Sequence, residues 1–292
     1  GSVNLILKSL TLFPSAPPIS PESLFQHIEL IAVFLLFVAV RHYVSLFLDN
    51  DLVGILSSIL TFNALLFSYV MPRASPLWYV HWFPFDIPAV LFITVGLILI
   101  YQKKWTQYYL VFLVATVNRE TSCFLTVAYL LTSLSKWKTK QVTAHCLLQF
   151  LIWATIKYIL FRIYSDNPVG DGGLDPTKAH WSLGLYDPND FAVNLETLIN
   201  VSAYPFIFSI TGFLWVPTML LLRRVREEFV RRSMVVTVPW CLSMLYAGTL
   251  TQLREFGELV PFVGVAFMLA LQELLRMETG PSNRGQKLQD VS

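Results

Sequence analysis

The sequence predicts an all-α fold, a polytopic transmembrane helical bundle of about eight to nine hydrophobic segments that includes a short hairpin broken at Asn118-Arg119-Glu120. Three observations predict it. Hydrophobic residues make up 55% of the 292-residue chain and charged residues 14%, whereas a soluble domain is about 25% charged. Mean hydropathy is +0.57. Long apolar runs alternate with short basic clusters, the pattern of a chain that crosses a bilayer repeatedly. A net charge of +2 and the absence of any nucleic-acid motif exclude nucleic acid as a partner. Cys123, Cys146 and Cys241 lie in apolar runs and read as small packing residues. The five histidines are scattered without an HExxH-like pair. A divalent cation is compatible with the acids, but no ligand motif specifies one.

Residues 1–28 read as an extracytoplasmic segment. Val3 to Phe13 is apolar but too short to span, and four prolines in 14–28 disfavour helix. The transmembrane domain then covers 29–275. Its first span, about 29–48, carries Arg41 and His42 in its second half, where long side chains snorkel to an interface. Asp49-Asn50-Asp51 makes a polar turn into the second span, about 52–70. The loop 71–85 combines three prolines with Trp78, Tyr79, Trp82 and Phe83, an aromatic belt that also contains His81. Asp86 opens the third span, about 86–101. Followed by Ile87-Pro88, it reads equally as an N-cap or as a site acid.

The next stretch is interrupted by Asn118-Arg119-Glu120-Thr121 within about thirty otherwise apolar residues. Each such charge near a bilayer centre is unfavourable by roughly 2.5 to 3.5 kcal/mol, so something must compensate it. As one crossing, this stretch would put Lys103 and Lys104 on the opposite side from Lys136, Lys138 and Lys140. As a hairpin of two arms, 106–117 and 121–135, it puts all five together. The arms, roughly 18 and 22 Å long, fall short of a hydrocarbon core of about 30 Å, so the apex lies below the surface among protein or in a watery cavity.

Spans at 142–164, 201–222, 233–250 and 259–275 complete the topology. It places eleven basic residues on the cytoplasmic side (Lys103, Lys104, Lys136, Lys138, Lys140, Arg223, Arg224, Arg226, Arg231, Arg232, Arg276) against Arg73, Lys178 and Arg254 outside. The tail 276–292 reads as disordered and cytoplasmic.

This topology gathers the polar stretches on the extracytoplasmic face: the loop 71–85, the Asn118–Thr121 apex, the loop 165–200 and the loop 251–258. Arginines beside carboxylates in a recessed membrane cavity suit a lipid with a phosphate or diphosphate head group. The guanidinium offers planar donors to phosphate oxygens, and a neighbouring acid serves as general base or holds a sugar hydroxyl or metal. Arg119/Glu120 and Arg254/Glu255 form two such adjacent pairs. Candidate catalytic acids are Glu120 and Asp86, and candidate binding residues are Asn118, Arg119, His81, Arg254, Glu255 and Glu258. Lys157 and Arg162 are further cations of the outer half. The same charges also suit an ion-pair weld between helices, with no substrate involved.

PFDIPAVLF before the short hairpin, NRET at its apex and the late LREFGELVP segment resemble poorly characterised bacterial membrane proteins related to the GT-C superfamily of glycosyltransferases, over residues 30–275. That resemblance implies a multi-pass enzyme of the bacterial inner or plasma membrane. It would move a sugar from a polyprenyl-phosphate donor, its lipid partner, at the extracytoplasmic face. The superfamily's catalytic carboxylate follows the first membrane helix. Here the corresponding region is 14–28, with Glu22 its only acid, or it belongs to an N-terminal part that this chain, opening on Gly1-Ser2, is expected to lack. A transporter or flippase for a lipid or small solute, and a non-catalytic structural subunit, are the alternatives.

Overall fold

A computed structural model describes residues 21–48, 51–70, 85–134, 138–164, 188–248, 250 and 253–278, which are helical with short connections and contain no strand. His81, most of the 71–85 loop and the greater part of the 165–200 loop lie outside the described residues.

Helix α1 (Pro21–Ser45) packs against α2 (Asp51–Val70) and α3 (Asp86–Gln102). A tight turn at Lys103, in the left-handed region at φ 59°, reverses the chain into α4 (Trp105–Asn118). A second reversal occurs at Arg119, whose extended backbone (φ −153°, ψ 147°) breaks the helix before a 3-10 turn, Glu120–Ser122, and α5 (Cys123–Ser133). The Trp105 ring, at the start of α4, lies 5.5 Å from Tyr129 near the end of α5. One straight helix would hold these two residues about 36 Å apart. The break is therefore a hairpin, and Lys103, Lys104, Lys138 and Lys140 share one end of the bundle, as the charge pattern predicts.

The arms have 14 and 11 helical residues, too few to cross a bilayer alone. Large rings fill the space between them, and α3 closes it from one side. There Gly96 lets Leu125 approach: a Cβ at Gly96 would stand 2.7 Å from Leu125 Cδ2. Helix α6 (Thr139–Tyr164) covers the hairpin on another side, joined by Tyr108 Oη donating to Gln149 Oε1 at 2.8 Å and by Tyr109 Oη to His145 Nδ1 at 2.6 Å. Its remaining surface, including Leu147, Leu151 and Ile163, is exposed and apolar, as lipid contact requires.

The second half is more broken than the apolar pattern predicts. Pro188–Ile199 is a helix, α7, inside the stretch read as a polar loop. It bends by 91° into Val201–Phe213. The expected continuous span 201–222 is instead a 3-10 turn, α8 (Tyr204–Ser209), a turn at Ile210–Phe213 and α9 (Trp215–Leu221). Thr211, Gly212 and Phe213 all have positive φ, at 52°, 61° and 66°, which ends the helical hydrogen-bond ladder there. The turn packs against α2 so closely that a Cβ at Gly212 would meet Ala64 Cα at 2.9 Å. Gly212→Ala is expected to lose about 2 kcal/mol or more, from backbone strain and overpacking together. Thermal unfolding in detergent would check this, and an unchanged midpoint would show that the turn is not under such constraint. Asn200-Val201-Ser202, a formal glycosylation sequon, is used locally: Asn200 Oδ1 accepts from Ser202 N at 3.0 Å and caps the 3-10 turn.

After a 3-10 turn at Leu222–Arg224 come α10 (Glu228–Ser233), α11 (Thr237–Ala247), a buried 3-10 segment Leu253–Leu259 and α12 (Val260–Glu278). The stretch read as an external loop at 251–258 is thus the enclosed beginning of a long helical unit. Asn194 of α7 ties this region together. Its Nδ2 donates to the carbonyls of Met244 (3.2 Å), Leu245 (3.1 Å) and Gly248 (2.7 Å), and its Oδ1 accepts from Leu250 N at 2.9 Å.

Three helical stretches are long and apolar enough to cross a membrane, Gln26–Ser45, Thr139–Ile163 and Leu253–Arg276, or up to four if the bent pair at 191–213 is one span. The eight to nine hydrophobic segments of the sequence are therefore not all full spans. The hairpin arms are too short, and a left-handed turn divides the 201–222 run.

Candidate functional site

Three elements that are distant in sequence converge at the end of the bundle opposite the Lys103 turn: the N-terminus of α3, the hairpin apex and the Leu253–Leu259 segment. Asp86 is at the start of α3 but does not cap it, since the N-cap position is Phe85 and carries no side-chain cap. Its carboxylate points into the bundle. Arg119 Nη1 donates to Asp86 Oδ1 at 2.9 Å, and Arg254 Nη1 to Asp86 Oδ2 at 3.3 Å. The open choice between helix cap and site acid is decided in favour of the buried cluster.

Arg119 Nη1 also lies 3.1 Å from Glu258 Oε1, and Thr121 Oγ1 donates to Glu258 Oε2 at 2.7 Å. Asp86 and Glu258 are 0% exposed and Arg119 is 8% exposed. The guanidinium of Arg119 sits 5.9 Å from the Phe85 ring centroid, and Asn118 Nδ2 holds the Phe85 carbonyl at 3.0 Å. Two arginines thus meet two carboxylates in a lattice where opposite formal charges offset one another's burial. The extended backbone at Arg119 makes this possible: a continued helix would have carried its side chain past α3.

The ion pairs of Arg119 and Glu120 are made with other elements and not with each other. Glu120 turns away from Arg119, keeps 53% of its side chain exposed and faces Lys157 Nζ at 3.9 Å. Trp153 Nε1 donates to the Glu120 carbonyl at 2.9 Å, fastening α6 to the apex. Glu255 reaches the end of α11, where a Cβ at Gly248 would stand 2.7 Å from its Oε2. Successive residues of a 3-10 turn point in directions about 120° apart, so neighbours in sequence diverge and partners come from other elements.

Of the sequence candidates, Asp86, Arg119, Arg254 and Glu258 form one lattice. Asn118 braces it through Phe85, whereas Glu120 lies at its edge. His81 is outside the described residues. Thr121, Phe85 and Trp153 are additional members; the first two adjoin Glu120 and Asp86 in sequence, while Trp153 had no signal beyond its place in an apolar run. Among the described residues no group of three or more His, Cys, Asp or Glu is placed to hold a metal ion. Comparison with family models, curated proteins and solved structures finds no match.

Proposed function

We propose that the chain is a multi-pass protein of a bacterial inner or plasma membrane that handles a lipid with a phosphate or diphosphate head group, and that its reaction is GT-C-like sugar transfer at the extracytoplasmic face. The observation that carries this reading is the convergence of Arg119 and Arg254 on Asp86. Both carboxylate contacts of Arg119 are made by Nη1, which leaves the rest of its planar fork to address phosphate oxygens. Asp86 then acts as a positioning residue, because each of its oxygens is held by an arginine. Glu120, the exposed acid at the rim, takes the role of general base.

In the proposed step, Glu120 removes the proton of an acceptor hydroxyl, whose oxygen bonds to the anomeric carbon of the sugar. The bond from that carbon to the lipid-phosphate oxygen breaks. The lipid phosphate leaves with the bonding pair, its charge met by the arginines.

A second reading, a purely structural ion-pair weld, is favoured by the complete burial of Asp86 and Glu258. Arg119→Lys separates the two, because it keeps the charge and loses the fork. On the lipid reading, nanodisc-embedded protein should crosslink a photoreactive polyprenyl phosphate about 10-fold less after this change, which corresponds to about 1.4 kcal/mol. Its unfolding midpoint should move only slightly. Unchanged crosslinking, or none in the wild type, would leave the weld as the better account.

A further inference from the structure

A cavity lies at the end of the bundle away from the ionic lattice. Its volume is about 350 Å³, and its walls are Ile100, Tyr101 and Lys103 from the end of α3 and its turn, Trp105 at the start of α4, Thr132 and Ser133 at the end of α5, and Phe229 of α10. The lining divides between apolar rings and polar atoms. It therefore differs from the apolar stretches exposed on α1 and α6, such as Leu30 and Ile31 or Phe150 and Leu151.

On the side of α3 and the hairpin, the charge around this cavity is one-sided. Between Ile87 and Ser165 the only acidic residue is Glu120, which sits at the opposite end of the hairpin. Lys103 lines the cavity, Lys104 follows it, and Lys138 and Lys140 begin α6 just after the end of α5; all four are exposed. Carboxylates also stand at this end, on α10, just before it, and on α12, where Glu273 pairs with Arg226 at 2.9 Å and Arg276 at 3.1 Å. Glu228 is paired with Arg232 at 2.7 Å, and Glu227 lies near Tyr101.

Lys103 is unusual on backbone grounds as well. It closes α3 in the left-handed conformation (φ 59°, ψ 31°), with its N–H on the Ile100 carbonyl at 3.2 Å and that of Lys104 on Leu99 at 3.0 Å. This closure is normally made by glycine or asparagine, because a Cβ is disfavoured there. A lysine at such a position retains strain that glycine would relieve. The ring of Trp105 beside it is amphipathic, of the kind that settles at the level of lipid head groups.

We propose that this cavity is a binding site for the phosphate of an anionic phospholipid from the adjacent leaflet, with Lys103 as its principal charge and the Tyr101, Trp105 and Phe229 rings against the glycerol and upper chain. Basic pockets between membrane helices recognise such head groups through charge at the rim and apolar contact below it. The site is independent of the sugar-transfer reading and stands whether or not the ionic lattice handles a substrate.

The test uses the full chain in nanodiscs of phosphatidylcholine, with and without added phosphatidylglycerol, and reads the thermal midpoint. Wild type is expected to gain a few degrees from phosphatidylglycerol, because a ligand of the folded state stabilises it by mass action. Lys103→Gly should be at least as stable as wild type in phosphatidylcholine, since glycine suits the left-handed turn, yet lose about half or more of the phosphatidylglycerol increment. Lys103→Asn provides a second variant suited to the same backbone. Arg276→Gln removes a charge that is tied to Glu273 and does not line the cavity; it should keep the increment. The proposal is overturned if phosphatidylglycerol gives no increment, if the Lys103 variants keep it, or if Arg276→Gln loses as much, which would indicate a diffuse surface potential. Equal protection by inorganic phosphate alone would overturn the lipid as source and leave a soluble anion.

Discussion

Asp86→Asn is expected to destabilise the protein by about 3 to 5 kcal/mol, the range for removing one partner from a buried ion pair. The substitution keeps the shape of the side chain and removes its charge. Arg254 then loses the Asp86 carboxylate at 3.3 Å, and Arg119 loses its 2.9 Å contact and keeps Glu258 at 3.1 Å. The two guanidinium groups lose a shared carboxylate in a region where Asp86 and Glu258 are both fully buried. The midpoint in detergent should fall by several degrees, and expression in membranes should decline with it. Glu120→Gln provides the contrast. Its side chain is 53% exposed and its partner Lys157 stands at 3.9 Å, so the loss should stay within about 1 kcal/mol. Combining Asp86→Asn with Arg254→Gln should restore part of the stability by rebalancing the charge. If Asp86→Asn proves as mild as Glu120→Gln, the lattice does not exist as described.

Asn194→Ala should have an effect of similar size through a different mechanism. One side chain serves three carbonyls and one N–H at the end of α11, and Asn194 is itself fully buried. Removing it takes the side-chain partner from Leu250 N and from the carbonyls of Leu245 and Gly248, while Met244 O keeps Gly248 N at 3.2 Å; each buried group left unsatisfied costs roughly 1 to 3 kcal/mol. A total loss of about 3 kcal/mol or more is expected. Asn194→Asp should be no better than Ala, since a carboxylate cannot donate to three carbonyls. Hydrogen exchange should rise first around Leu245 to Leu250. An Asn194→Asp protein with wild-type stability and protection would show that these contacts do not hold the turn.

Much of the first half was legible in residue order. The paired lysines at 103–104 and 136–140, with an apolar stretch of ambiguous length between them, required a reversal, and only Asn118-Arg119-Glu120 interrupts that stretch. The second half was not. Residues 201–222 read as one apolar span because hydropathy averages over a window and does not register three consecutive left-handed residues. Gly212 alone hints at the break at Thr211–Phe213. The turn is held by its packing on Ala64, a contact almost 150 positions away in the chain. Helix α7 was hidden for the opposite reason: its polar residues, Asn194 foremost, look like loop chemistry until their partners on α11 are seen.

Composition and charge order alone establish a helical, membrane-embedded chain with a reversal near Arg119, and they mark Asp86, Arg119, Arg254 and Glu258 as charges needing compensation. Tertiary structure alone decided how that compensation is made. The sequence suggested Arg119 with Glu120 and Arg254 with Glu255, because neighbours in the chain are the only proximity a sequence shows. The fold pairs Arg119 with Asp86 and Glu258, Arg254 with Asp86, and Glu120 with Lys157. Coulomb attraction depends on distance and local dielectric, and both are set by which helices pack together, not by position along the chain.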